Sequence, residues 1–197
     1  MQVNKSLLDY YKNVSSDAPA PGGGSVSAYF ITLGLGLYLM SIRVSIKRKK
    51  FQAYDDNIKN SVYQNIEELD NINLAILEYV DKDIETFNKF MEAYRAKDEE
   101  RIKVETINCF YGPYEVVNLM FKAIDIIVED YQFVVKSILS DLKISLMVIN
   151  NFLDVEQENM EVNLKNIDDV TIQKIAEKVF EKISSYKKEI AKILENF

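Results

Sequence analysis

Proton chemistry in this chain has to be carried by carboxylates, lysines, hydroxyls, amides or backbone groups, because its 197 residues include no histidine and a single cysteine, Cys109. That inventory excludes, within one chain, disulfide frameworks, thiolate zinc clusters, histidine-metal sites and Ser-His-Asp triads, and no metal site is expected. Nothing nearby in sequence supplies a base for Cys109, which reads as a small core residue. Three stretches hold the remaining candidates: "PAPGGGS" at 19–25, the basic run Lys47, Arg48, Lys49 and Lys50, and "DKDIETFNKFMEAYR" at 81–95.

The glycine stretch opens an apolar run. Several unpaired amides at the positive end of a helix dipole can hold an anion or let a flat ligand lie against backbone. A tight corner with Ser25 as N-cap accounts for the same residues equally well. No Lys-Ser/Thr follows the glycines as in a Walker loop, and no strand-like run precedes them. Asp81 and Asp83, two apart on a helix, project in different directions, so at most one faces a given pocket; both also suit a solvated helix face. The lysines fall at the C-terminal end of the apolar helix, where cations complement the dipole.

Helices must position these groups. Only three prolines and six glycines interrupt a chain rich in Ile, Leu, Lys, Glu and Asn, which favours long helices over a sheet with many turns. Residues 3–13 read as a short helix with Leu7, Leu8 and Tyr11 on its apolar face. The central helix spans about 25–49 and is apolar nearly all round, which calls for neighbours on every side, and Gly34 and Gly36 would admit a close backbone. From 55 to 96, apolar residues recur at three- and four-residue steps and predict one long helix. A helix from 99 to 110 should be interrupted at Gly112-Pro113, with Pro113 opening the next helix to about 128. A further helix is expected over 129–155, a loop over 159–169, and a last helix capped by Asp168 or Asp169 and running to about 194. The expected fold is all-α: a single domain, 1–197, of about five long antiparallel helices with a short N-terminal helix.

A net charge of −7 argues against broad nucleic-acid or anionic-membrane binding. The segment "VSAYFITLGLGLYLMSIRV" has membrane-spanning length, but its small residues suit tight packing between protein helices, so a buried core helix is expected rather than a span. The N-terminus lacks the continuous apolar core of a signal peptide, and the expected compartment is the cytoplasm. Residues 26–46 are too apolar for a surface helix, which predicts a homodimer.

In order and spacing, "PAPGGGSVSA", the apolar helix, "KRKKF" and "DKDIETFNKFMEAYR" resemble the cyclodeaminase/cyclohydrolase family, which comprises the C-terminal part of formiminotransferase-cyclodeaminase and stand-alone methenyltetrahydrofolate cyclohydrolases. "LLDYYKNVSSDAPAPGGGS" and "GPYEVVNLMFKAIDI" extend the resemblance over nearly the whole chain. It implies an all-helical, usually dimeric subunit acting on the one-carbon bridge of a reduced folate without a metal or redox cofactor. The reaction would be either hydrolysis of 5,10-methenyltetrahydrofolate to the 10-formyl compound or closure of 5-formiminotetrahydrofolate with release of ammonia. A carboxylate and a lysine can move the protons that such chemistry needs. Asp83 matches the family's acidic position and is the candidate general base or electrostatic partner of the cationic bridge. Pro21, Gly22, Gly23, Gly24, Ser25 and Asn88 are candidate ligand contacts, with Lys49 and Lys50 assigned to the anionic glutamate tail. Tyr94 and Arg95 belong to the same matched stretch, whereas Tyr111 and Tyr114 read as packing residues.

Two family segments depart from the pattern. Of Asn-Pro-x-Ala-x-Ser-Asp-Ala-Gly only Asp130 survives, and of Asn-Val-Arg-Ile-Asn-Leu, Val148 replaces the first Asn, Asn150 the Arg and Phe152 the second Asn. Apolar residues cannot replace the lost hydrogen bonds. The alternative to a folate enzyme is therefore a non-catalytic paralogue, a dimeric module that binds a folate-like ligand or a partner.

Overall fold

A computed structural model describes residues 1–197 as helices and short connections, with no strand. Seven α-helices follow one another: α1 (Leu7–Val14), α2 (Gly23–Ile46), α3 (Lys49–Gln52), α4 (Asp56–Ala96), α5 (Glu99–Asp130), α6 (Leu139–Leu164) and α7 (Val170–Leu194), with 3₁₀ turns at Gln2–Asn4, Tyr131–Phe133 and Lys136–Ile138. Five of the seven are long, as the periodicity predicts.

The helix ends follow capping chemistry. The Ser6 side chain accepts from the Asp9 N–H, Asp98 accepts from Arg101 N–H, and Asp169 accepts from Thr171 and Ile172 N–H, each satisfying a first-turn amide that has no partner within its own helix. At the α4–α5 corner, Lys97 adopts φ 53°, the one non-glycine residue with positive φ. None of the glycines has positive φ.

Helix α2 is the spine and packs against α4 on one side and α6 on the other; α5 lies across α4 and α6, and α7 covers α6. It is long and apolar enough to cross a bilayer, yet Ile31, Leu35, Tyr38, Leu39 and Ile42 are buried among its neighbours. A β-carbon on Gly34 would lie 2.4 Å from Val148 Cγ1, so Gly34 is what lets α2 and α6 approach. Gly36 has open space instead.

Several boundaries differ from expectation for identifiable reasons. Helix α2 begins at Gly23 with Gly22 at the N-cap and stops at Ile46, so Ser25 is inside the first turn rather than capping it. Pro113 does not interrupt α5. A mid-helix proline deprives the carbonyl four residues back of its donor; here that carbonyl belongs to Cys109, and the Asn163 side-chain amide donates to it at 3.2 Å. The predicted 129–155 helix starts only at Leu139, because Asp130 is buried and accepts from Asn65, Phe133 turns into an aromatic cluster with Phe51 and Tyr54, and Val135 N–H donates to Ser45 Oγ. Residues 159–164, predicted as loop, continue α6, since Met160 is fully buried in the core.

Candidate functional site

The N-terminus of α2, the C-terminal half of α4, the first half of α5 and the C-terminal part of α6 surround an open cavity of about 500 Å3, within the size range of small-molecule sites. Pro19, Ala20 and Gly22 of the preceding loop and Gly23 and Gly24 of the first α2 turn line it. Two carboxyl groups reach it from the helices that flank α2: Asp83 from α4 and Glu156 from α6.

Asp83 is held by the glycine stretch itself. Ser25 N–H donates to Asp83 Oδ2 at 2.9 Å, so the helix N-terminus that could have received an outside anion or formed only a tight corner receives a carboxylate of the same chain. The carboxylate lies so close to the Gly24 Cα that a β-carbon there would stand 2.1 Å from Oδ1. The glycine is needed for this approach and not for a left-handed turn. Ser25 Oγ gives its one proton to the Val80 carbonyl at 2.8 Å, and therefore accepts from Tyr10 hydroxyl at 3.0 Å. These bonds fasten α1, α2 and α4 together beneath Asp83. Burial pushes the Asp83 carboxyl above the ordinary aspartate range, and the Ser25 N–H opposes part of that rise.

Glu156 is 2% exposed although it lines the cavity. Its Oε1 makes a short contact with Ser27 Oγ, and Ser27 Oγ is also 2.9 Å from the Gly24 carbonyl. Burial pushes Glu156 up to about 7; the hydrogen bonds from Ser27 and Asn159 oppose the shift, and the negative charge of Asp83 adds to it. Asn159 and Asn163, three and seven residues farther along α6, share its face and also line the cavity. Sequence reading ended this helix at Val155 and missed all three. The available signal was a lone acid at an apolar-face position in the series Ile149, Phe152, Leu153, Glu156, Met160.

On the opposite wall Tyr79 hydroxyl donates to Glu115, while Lys82 Nζ donates to Tyr79 hydroxyl at 3.0 Å and to Glu115 Oε2 at 3.1 Å. The cavity therefore holds four carboxyl groups (Asp83, Glu105, Glu115 and Glu156) against the two ammonium groups of Lys82 and Lys89, and its field favours a cation. No three acidic or thiol side chains converge as a metal cluster would require. Cys109 is half-buried on the cavity wall rather than in the core; burial, then the charges of Asp83 and Glu105, push its thiol up to about 11. Tyr111 is likewise on the wall.

The sequence candidates divide. Asp83 and Gly22, Gly23 and Gly24 line the cavity, and Ser25 supports it from below. Pro21 is buried and does not line it. Asp81 faces away and accepts from the Gln2 and Val3 amides, as the two-residue spacing requires. Asn88 is exposed and outside the cavity, because five residues of helix place it about 140° around α4 from Asp83. Lys49 and Lys50 are exposed in α3 at the other end of the 24-residue α2, about 36 Å away at 1.5 Å per residue. Within one chain they do not meet the cavity. Lys50 instead borders a smaller cleft of about 250 Å3 with Phe51, Tyr54 and Lys136.

The family departures also lie away from the cavity. Phe152 is fully buried in the core and Val148 fills the notch at Gly34, while Asp130, the retained residue of the other segment, is buried against Asn65. Neither these three nor Asn150 lines the site.

Comparison with known proteins agrees with this architecture. The family model described as Formiminotransferase-cyclodeaminase matches residues 6–182. Methenyltetrahydrofolate cyclohydrolase of Methylorubrum extorquens is 24% identical over 185 residues, covering 86% of this chain and 84% of its own. Formimidoyltransferase-cyclodeaminase of Gallus gallus is 26% identical over 182 residues, 85% of this chain but only 32% of that longer protein. The crystal structure of formiminotetrahydrofolate cyclodeaminase from Thermotoga maritima superposes with a TM-score of 0.87 at 24% identity, covering 98% of this chain and 97% of the other, which establishes the shared fold. With a family match reaching from α1 into α7, the chain belongs to the formiminotransferase-cyclodeaminase family.

Proposed function

We propose that this protein is a folate one-carbon enzyme, which either hydrolyses 5,10-methenyltetrahydrofolate to 10-formyltetrahydrofolate or closes 5-formiminotetrahydrofolate with loss of ammonia. The observation that carries the reading is Asp83, half-buried in an acidic cavity of small-molecule size and fastened by Ser25 N–H. Both reactions pass through an amidinium-like carbon whose positive charge an acidic cavity stabilises, and both require proton removal, from water in the first and from a ring-closing nitrogen in the second. Asp83 is the base. The names of the relatives support this class of reaction, and the substitutions at 148, 150 and 152, which together with the missing Ser-Asp-Ala-Gly segment motivated a non-catalytic alternative, do not line the cavity. A tail-binding part for Lys49 and Lys50 requires the lysines of a second copy, which accords with the expected dimer.

The test is direct. Purified protein mixed with 5,10-methenyltetrahydrofolate should accelerate loss of its near-ultraviolet absorbance over buffer, or, with 5-formiminotetrahydrofolate, should release ammonia. Absence of both activities in a folded protein refutes the reading. Binding of 5-formyltetrahydrofolate without turnover would favour the ligand-binding module instead.

A further inference from the structure

Ser27 has one hydroxyl proton and two acceptors within reach, the Gly24 carbonyl and Glu156 Oε1. If Glu156 were ionised, one of these two contacts would lack a proton. With Glu156 protonated both are satisfied: the carboxylic acid donates to Ser27 Oγ, and Ser27 Oγ donates to the Gly24 carbonyl. The Asn159 amide, 3.5 Å from Ser27 Oγ, adds a further donor to the same oxygen. The environment agrees, since Glu156 is 2% exposed and shares its cavity with Asp83. The titratable groups around it come from two helices: Lys82, Asp83 and Lys89 on α4, and Glu105, Glu115 and the neutral Cys109 thiol on α5. The acids outnumber the ammonium groups, and α2 contributes only hydroxyl and backbone groups.

We propose that Glu156 is the proton donor of this site, delivering its carboxyl proton to the nitrogen that leaves the one-carbon carbon, opposite Asp83 as the base. The assignment rests on the folate reading. In the hydrolysis, the oxygen of water bonds to the bridge carbon as Asp83 takes one proton, giving a neutral carbinol. The carbon–N5 bond then breaks with its electron pair remaining on N5, which takes the Glu156 proton, while the carbinol hydroxyl proton returns to Glu156. Asp83 releases its proton to solvent, so one cation and one water give one formyl compound and one proton. In the ring closure, the formimino group starts as its amidinium cation (=NH2+): N10 bonds to its carbon and loses its proton to Asp83, leaving a neutral –NH2. That amino group takes the Glu156 proton and leaves as ammonia with the bonding pair, giving the methenyl cation, and the two carboxyl groups re-equilibrate through solvent.

The test compares wild type, Glu156→Gln and Glu156→Asp in turnover of the two folates across pH 5–9, with calorimetric binding of 5-formyltetrahydrofolate as the probe. Gln keeps the size and the acceptor oxygen but has no proton to give. Its kcat should fall about 10²–10⁴-fold with probe affinity within about threefold, and the decline in wild-type kcat as pH rises through about 7 should disappear. The Asp variant should recover part of the rate and the pH limb, which a purely structural role would not produce. A well-folded Gln variant within about threefold of wild type at pH 6 overturns the proposal and leaves the folate reading intact. A wild-type protein inert toward both folates overturns the folate reading and the proton-donor role with it.

Discussion

Substituting alanine singly at Gly22, Gly23 and Gly24 separates what three consecutive glycines each do. At Gly24 the new β-carbon would stand 2.1 Å from Asp83 Oδ1 and 2.7 Å from its Cγ, whereas ordinary contact begins at 3.4 Å. The carboxylate must retreat by about 1.3 Å, which breaks its 2.9 Å bond from Ser25 N–H. A hydrogen bond to a charged group contributes about 1.5–3 kcal/mol, and the better helix propensity of alanine offsets up to about 1 kcal/mol. With the full offset the net loss is about 0.5–2 kcal/mol, a melting temperature lower by roughly 1–8 °C for a chain of this size. A catalytic group displaced by that distance loses about 100-fold in rate. At Gly23 the β-carbon meets only the Asn159 side-chain oxygen, at 3.2 Å, and at Gly22 only the Pro19 carbonyl, at 3.9 Å. Both variants should stay within about 1 kcal/mol of wild type and keep most of their turnover. Thermal unfolding followed by circular dichroism, alongside the 5,10-methenyltetrahydrofolate assay, reads both quantities. Wild-type turnover in Gly24→Ala, or equal damage at Gly22, would refute the assignment of Gly24 as the seat of Asp83.

Glu156→Gln should also change stability in a pH-dependent way. The native state holds the Glu156 proton up to about 7 while the unfolded chain releases it near 4.5, so this group makes wild type progressively less stable as pH rises between those values. The Gln variant lacks that loss and should gain up to about 3 kcal/mol on wild type by pH 8 relative to pH 4. Denaturant midpoints at the two pH values measure it, and a constant difference would contradict a buried, protonated acid. Gly34→Ala should cost about 1–3 kcal/mol, because its β-carbon would stand 2.4 Å from Val148 Cγ1; Val148→Ala in the same chain should recover part of it, and additive double-mutant energies would disprove the contact. The stripe Val26, Phe30, Leu33 and Met40 remains exposed on α2 at heptad-like spacing, so Leu33→Glu should turn a dimer into a monomer by light scattering. A monomeric wild type would rule out that interface.

Local chemistry in the sequence was sufficient for the helical class, the uninterrupted α4, an aspartate cap at 168 or 169 and the separation of Asp81 from Asp83, because each depends on residues within a turn or two of one another. The glycine stretch was also legible as special, but its purpose was not. Whether its amide meets an outside anion or Asp83, 58 residues away in sequence, depends on how α2 lies against α4. Pro113 shows the same limit, since a proline ends a helix unless a distant donor takes the stranded carbonyl, and Asn163 supplies that donor from α6. Glu156 was hidden because polarity predicted a loop where burial of Met160 extends the helix, and because its proton is retained through desolvation and the nearby charge of Asp83. Lys49 and Lys50 were grouped with the cavity by a resemblance in order and spacing, whereas the 24 residues of rigid α2 separate them from it. Sequence determined which segments would be helical and which residues could carry protons; packing of α4 and α6 on opposite sides of α2 decided that Asp83 and Glu156 would share one cavity, since that pairing exists only between helices.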